Sequence, residues 1–265
     1  MSVTKKLIIT HMMRSGSTYI SGLLSCLPDF ENYLHGHFFP EKYYNSKRRY
    51  TVCLIRRPVD WYFSQWNYGR ERKSGDIYRS INSIYYRIRM YEKLKRYEIF
   101  DKNEAFYQLF TLYNRNKIYS NDNESFTNFV KLVSSSDFLK SIGIKKILSK
   151  YGQGVMFGYL CYACFKNKRP SIQNDVSTFF KKNTSVDELV FLENIDEVLD
   201  NILLSLNYTH EEIENAKIFN SNRNSTLKKY KITDYINSNL IKEINNKEHF
   251  INSLCDKAIS SRLIF

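Results

Sequence analysis

Apolar and polar positions alternate between two periods along this chain. Leu7 to His11 is a short apolar run bounded by lysines and a polar loop, which predicts a buried strand. From Ser17 the period lengthens. Tyr19, Ile20, Leu23, Leu24 and Leu27 fall on one helical face, with Pro28 beyond its end. The same form returns in "YTVCLI" (Tyr50–Ile55), a strand, followed by "RRPVDWYFSQWNY", a turn and helix. Pro58 takes the first helical position and Asp60 the first turn, where a carboxylate complements the helix dipole. Between the two units, "NYLHGHFFPEKYY" has room for a short strand running into a loop. "DELVFLEN" (Asp187–Asn194) is a third strand, with the helical pattern "IDEVLDNILLSL" after it.

Strands alternating with helices predict an α/β fold: a central, mostly parallel sheet flanked by helices, with the loops of interest at the C-terminal ends of the strands. With only 4 Pro and 9 Gly, no flexible linker divides the chain, so residues 1–265 read as one domain. The stretch of about 69–183 reads as a largely helical insertion. In it Ile77, Ile81, Ile84, Ile88, Tyr91, Leu94 and Tyr97 recur three and four apart, the packing face of a long helix.

Charge narrows the partners. A net charge of +13 and a pI near 9.4 favour an anion: a nucleotide, an acidic glycan, nucleic acid or a membrane surface. Five scattered cysteines argue against a disulfide framework, and Cys161 and Cys164 sit in an apolar run that predicts two buried thiols. The two form a CxxC, but no second CxxC or nearby His pair completes a zinc site. The apolar run Leu7–Met13 is too short for a signal peptide or a membrane span, so the expected location is cytoplasmic.

The first loop, "RSGST", lies between a strand and a helix. There the backbone N–H groups of Ser15, Gly16, Ser17, Thr18 and Tyr19 can converge on one anion, helped by the helix dipole. Gly16 permits an unusual backbone angle, the hydroxyls add donors, and Arg14 adds a fixed charge. A Walker A loop would have more glycine and a lysine, and would wrap a triphosphate; this loop is too short and suits a compact terminal group. In the second loop, Arg56 ends a strand and Ser64 follows eight residues on, about two helical turns into the next element. That pair is suited to a second phosphate.

"RSGSTYI" followed by "RRPVDWYFSQW" resembles the paired signatures of sulfotransferases that use 3′-phosphoadenosine 5′-phosphosulfate (PAPS). "LVFLENIDEVLDNILLSLN" resembles the strand, acidic turn and helix of that family, and "NSNRNSTLKKYKITDYINSNLIKEI" is similar to its C-terminal segment. The resemblance touches both ends of the chain and leaves roughly residues 69–182 without a motif. It implies a P-loop-like sulfotransferase architecture that transfers a sulfonate to a hydroxyl or amine, with adenosine 3′,5′-bisphosphate as product and no metal required.

Carried over residue by residue, the first loop would bind the 5′-phosphosulfate and Arg56 with Ser64 the 3′-phosphate. Arg14 would stabilise the leaving phosphate, and Arg223 and Lys228 would close over the nucleotide. The resemblance places the base in "LHGHFFPE": His37, with His35 and Glu41 as alternatives. The acceptor is expected to be a glycan, with an anionic one in keeping with the charge, or a small molecule. Nucleic acid is not expected as a partner, and the oligomeric state is open between monomer and homodimer. Two other readings stand beside this one: a P-loop kinase using ATP and Mg²⁺, and a non-catalytic protein binding nucleic acid or another polyanion through the Tyr- and Arg-rich stretch Tyr78–Tyr97.

Overall fold

The computed structural model describes residues 6–12, 14–28, 34–36, 49–73, 75–82, 118–120, 124–141, 145–165, 170–221, 232–260 and 263–264. Its centre is a five-stranded sheet: β1 (Lys6–His11), β2 (Leu34–Gly36), β3 (Arg49–Ile55), β4 (Glu188–Phe191) and β5 (Leu263–Ile264), in the order β2-β1-β3-β4-β5. The first four are parallel, and β5 joins antiparallel at the edge. β1 and β3 lie side by side with Ile9 opposite Val52 and Thr10 opposite Cys53, so the two candidate loops leave neighbouring strand ends.

Strand alternation sorts side chains onto two covered faces. Val52 and Leu54 pack with Ile9 and Val190 beneath α1 (Ser17–Leu24), α9 (Ile195–Ser205) and α10 (His210–Ser221). Cys53 and Ile55 point the other way, into a larger cluster built around Trp61, Trp66, Phe126, Phe129, Phe157 and Phe179. The helices on that side are α2 (Pro58–Arg72), α3 (Asp76–Asn82), α4 (Ser125–Val133), α5 (Ser136–Ser141), α6 (Lys145–Tyr151), α7 (Val155–Cys164), α8 (Val176–Asn183), α11 (Ser238–Lys247) and α12 (His249–Ser260). Their shared core ties the helical middle of the chain to β3 and α2.

The strands expected at Leu7–His11, Tyr50–Ile55 and from Asp187, and the helices after them, are present, and β5 is an edge strand not expected from the sequence. Pro58 opens α2 and Asp60 lies in its first turn, as the dipole argument requires. Cys161 and Cys164 are buried thiols, and burial pushes both well up from the usual thiol range. One boundary differs. "DELVFLEN" is not strand to its end: β4 stops at Phe191, and Leu192–Asn194 forms a 3₁₀ turn. The turn brings Leu192 over the first loop. The stripe expected to run from Ile77 to Tyr97 is seen only in α3, and the rest lies outside the described residues. No described helix is long and apolar enough to cross a membrane.

The polar start of α7 is completed from far along the chain. Glu248, fully buried, accepts hydrogen bonds from the Tyr62 hydroxyl (2.8 Å) and from the N–H groups of Met156 (2.8 Å) and Phe157 (3.2 Å). Two of the donors that a helix N-terminus leaves unpaired are thus satisfied by one carboxylate. A Cβ on Gly154 would stand 2.3 Å from its Oε1, so only glycine lets the carboxylate this close.

Candidate functional site

The first loop is shaped by two residues in left-handed conformation. Arg14 has φ 65° and Gly16 φ 84°, on either side of Ser15. A non-glycine residue held there costs roughly 1–2 kcal/mol, and such conformations gather at ligand sites. A Cβ at Gly16 would approach Leu192 Cδ1 to 2.4 Å, so the 3₁₀ turn after β4 presses directly on the loop. Gly16 caps α1, and its carbonyl accepts the first helical bond, from the Ile20 N–H at 3.0 Å. The N–H groups of Ser17, Thr18 and Tyr19 precede that bond, at the end of the helix where backbone donors have no intrahelical acceptor.

Arg14 reaches across to the second loop. Its Nε donates to Ser64 Oγ at 3.4 Å, and its guanidinium lies 4.1 Å from the centre of the Tyr68 ring. Ser64 and Tyr68 are one turn apart on α2 and form a cradle for the arginine. Arg56, at the end of β3, donates from Nη1 to the Arg14 carbonyl at 3.5 Å. Arg14 therefore contacts both Ser64 and Arg56, which gathers three of the residues expected at the site.

Two buried polar atoms at this junction have no hydrogen-bond partner: Ser15 Oγ and Arg56 Nε. Ser15 is fully buried. Leaving such groups unpaired costs free energy, which an anionic group at each loop would relieve. Burial lowers the Arg14 pKa, opposed by Tyr68 and assisted by the neighbouring charge of Arg56, and the guanidinium stays protonated throughout. Glu193, in the 3₁₀ turn, has its pKa raised by desolvation, with Arg56 acting against the shift.

Arg56 is held from behind as well. The Cys255 thiol on α12 donates to the Arg56 carbonyl at 3.5 Å, and burial pushes that thiol up to about 12, which keeps its proton in place. Arg57 turns away toward α12 and pairs with Asp256 at 3.4 Å. Trp61 and Trp66 are buried beneath the second loop.

Comparison with known proteins adds no neighbour to this geometry: no family model, no curated protein and no solved structure matches the chain.

Of the remaining expected residues, Thr18 is exposed on the first turn of α1. The Tyr19 hydroxyl is taken up by Asp196 on α9, which leaves Tyr19 only its backbone N–H for an anion. His35 is the middle residue of β2, in register with Ile9. His37, Glu41, Arg223 and Lys228 lie outside the described residues. The described chain approaches the last two at Asn220, which is buried and donates to the Tyr19 carbonyl at 2.8 Å. A Cβ at Gly22 would stand 2.0 Å from Asn220 Oδ1, so that glycine makes the contact possible.

Sequence reasoning missed Tyr68 and Leu192. Tyr68 carried a signal, since it stands four residues after Ser64 on a predicted helix and therefore shares its face. Leu192 carried none, because its role is a contact with a loop far away in the chain.

Proposed function

We propose that the chain is a sulfotransferase that binds PAPS across the two loops and transfers its sulfonate to a hydroxyl or amine. The observation that supports this most is the pair of partnerless buried atoms, Ser15 Oγ and Arg56 Nε, at the ends of adjacent parallel strands. A nucleotide carrying two separate anionic groups fits such a pair, because each loop offers its own donors. Bound there, PAPS would supply an activated sulfonate whose leaving group is a phosphate.

The chain's own part in the reaction is electrostatic. The N–H groups at the start of α1, with Ser15, would hold the 5′ end. Arg56 and Ser64 would hold the 3′-phosphate. The Ser64 hydroxyl accepts from Arg14, so its own proton is available to an anion, and Arg14 polarises that bond. Arg14 would also offset charge growing on the leaving phosphate, without donating a proton. The acceptor's proton would pass to the base in the stretch 35–41, which we assign to His37 ahead of His35 and Glu41.

Transfer of labelled sulfonate from PAPS across a panel of glycans, peptides and hydroxylated small molecules tests the reading. Label should move to at least one acceptor class, and His37→Ala should lower turnover while nucleotide affinity stays nearly unchanged. Full turnover in His37→Ala would remove His37 from the mechanism. Transfer of phosphate from ATP–Mg²⁺ in place of sulfonate would overturn the sulfotransferase reading itself.

A further inference from the structure

Arg57 diverges from Arg56 and opens onto a shallow, open cleft of about 630 Å³ against α11 and α12. The described residues lining it are all polar or charged. Arg57 and Lys257 are cationic, Asp256 is the one carboxylate, and Asn245, Asn252, Ser253 and His249 complete the wall. We propose that this cleft binds an acidic saccharide, a polyhydroxylated ligand bearing a carboxylate or comparable anion.

The wall is organised ahead of any ligand. The buried Gln153 amide lies 2.8 Å from His249 Nε2 and 3.1 Å from Nδ1; in the tautomer with Nε2 as its acceptor, Nδ1–H donates to the Asn246 carbonyl at 3.2 Å. Gln153 Oε1 in turn accepts the Phe250 N–H at 3.2 Å. With both ring nitrogens engaged, His249 is a fixed surface. The Asn252 amide donates to the Asn245 carbonyl at 3.3 Å and to its side-chain oxygen at 3.1 Å, which orders the two amides while leaving the Asn252 side-chain carbonyl to accept from a hydroxyl.

The ligand's anion is assigned to Arg57. Its pairing with Asp256 is solvent-exposed, with side-chain exposures of 42% and 67%, and such pairs contribute little. It can therefore open at small cost, with the guanidinium taking a carboxylate in two-point contact and Asp256 accepting from sugar hydroxyls. A phenol or sterol finds no apolar side chain among the described lining residues. Cys255, next to Asp256, donates to the Arg56 carbonyl, so the cleft adjoins the backbone of the second loop, on the side of the sheet away from β2. The binding proposed here does not rest on the sulfotransferase reading.

The test is a titration, followed by protein NMR, with three probes: a glucuronate-containing tetrasaccharide, a neutral glucose tetrasaccharide, and inorganic phosphate. The acidic tetrasaccharide should bind at least roughly 10-fold more tightly than either other probe, and Lys257→Glu and Asn252→Ala should each weaken it several-fold with the spectrum otherwise native. Adenosine 3′,5′-bisphosphate should not compete. Equal binding of phosphate, equal binding of the neutral sugar, or indifference to both substitutions would overturn the proposal. Failure of the bisphosphate to bind at all would count against the nucleotide site while leaving the saccharide result intact.

Discussion

Arg14 Nε and Ser64 Oγ, fifty residues apart, meet at 3.4 Å, and this bond joins the two loops at the ends of β1 and β3. One loop supplies the charge and the other the hydroxyl, so neither half of the candidate site is complete alone. The Tyr68 ring, 4.1 Å from the same guanidinium, keeps the arginine in place.

Replacing Tyr68 by leucine should release Arg14 without opening the core, since the ring is only partly buried. A cation–π contact of this kind contributes about 1 kcal/mol. Affinity for adenosine 3′,5′-bisphosphate should fall by roughly 3- to 10-fold by calorimetry, and Tyr68→Phe should restore most of it. Unchanged affinity in the leucine variant would show that Arg14 needs no support from α2.

Gly16→Ala puts a side chain at φ 84° and a methyl group 2.4 Å from Leu192 Cδ1. Strain in the left-handed region costs about 1–2 kcal/mol, before Leu192 has moved. Chemical denaturation should show a loss of roughly 2 kcal/mol, accompanied by loss of nucleotide binding. Wild-type stability would mean that the loop has another accessible conformation.

Glu248 sets a pH dependence whose sign follows from burial. Its pKa is raised from 4.5 to about 7, because burial outweighs the hydrogen bonds it accepts. Below pH 4.5 the carboxyl is protonated in both folded and unfolded chains and contributes no pH slope. Between 4.5 and 7 the folded protein holds a proton that the unfolded chain has lost, so stability falls as pH rises. The drop amounts to about 3 kcal/mol across that window and levels off above it. Denaturation of the wild type and Glu248→Gln at several pH values should differ by that slope. Parallel curves would place the carboxyl at its ordinary pKa.

The cysteines should separate by reactivity. Burial raises the pKa of Cys161, Cys164 and Cys255, and Cys53 is buried, whereas Cys26 is partly exposed. Brief alkylation of the native protein followed by mass spectrometry should label Cys26 first. Labelling of Cys161 or Cys164 at the same rate would show that the α7 core opens readily.

Local periodicity was enough to read three strands of the sheet from the sequence: "LIITH", "YTVCLI" and "ELVF" are apolar runs that end in polar loops, and Pro58 marks a helix start, whereas the two-residue edge strand β5 is too short to show a period. The meeting of the two loops followed from a parallel sheet, which places the ends of β1 and β3 side by side. What could not be read were contacts between distant segments. The closure of Leu192 over Gly16, the seating of Asn220 against Gly22 and the capping of α7 by Glu248 each join residues far apart in the chain, and nothing local marks them. The strand boundary at Phe191 was missed for a local reason, since "LEN" continues the apolar pattern by one residue before turning.

The central claim is that one nucleotide with two separated anions spans both loops. Thermal unfolding in the presence of adenosine 3′,5′-bisphosphate, adenosine 5′-monophosphate or ATP–Mg²⁺, on the wild type and on Arg56→Ala, tests it most directly. At 100 times its Kd the bisphosphate should add about 2.7 kcal/mol of stability. The monophosphate should add clearly less, and Arg56→Ala should lose about half or more of the gain by weakening the bisphosphate roughly 10- to 100-fold. A shift with ATP–Mg²⁺ alone, or a bisphosphate shift that survives Arg56→Ala intact, would contradict the account.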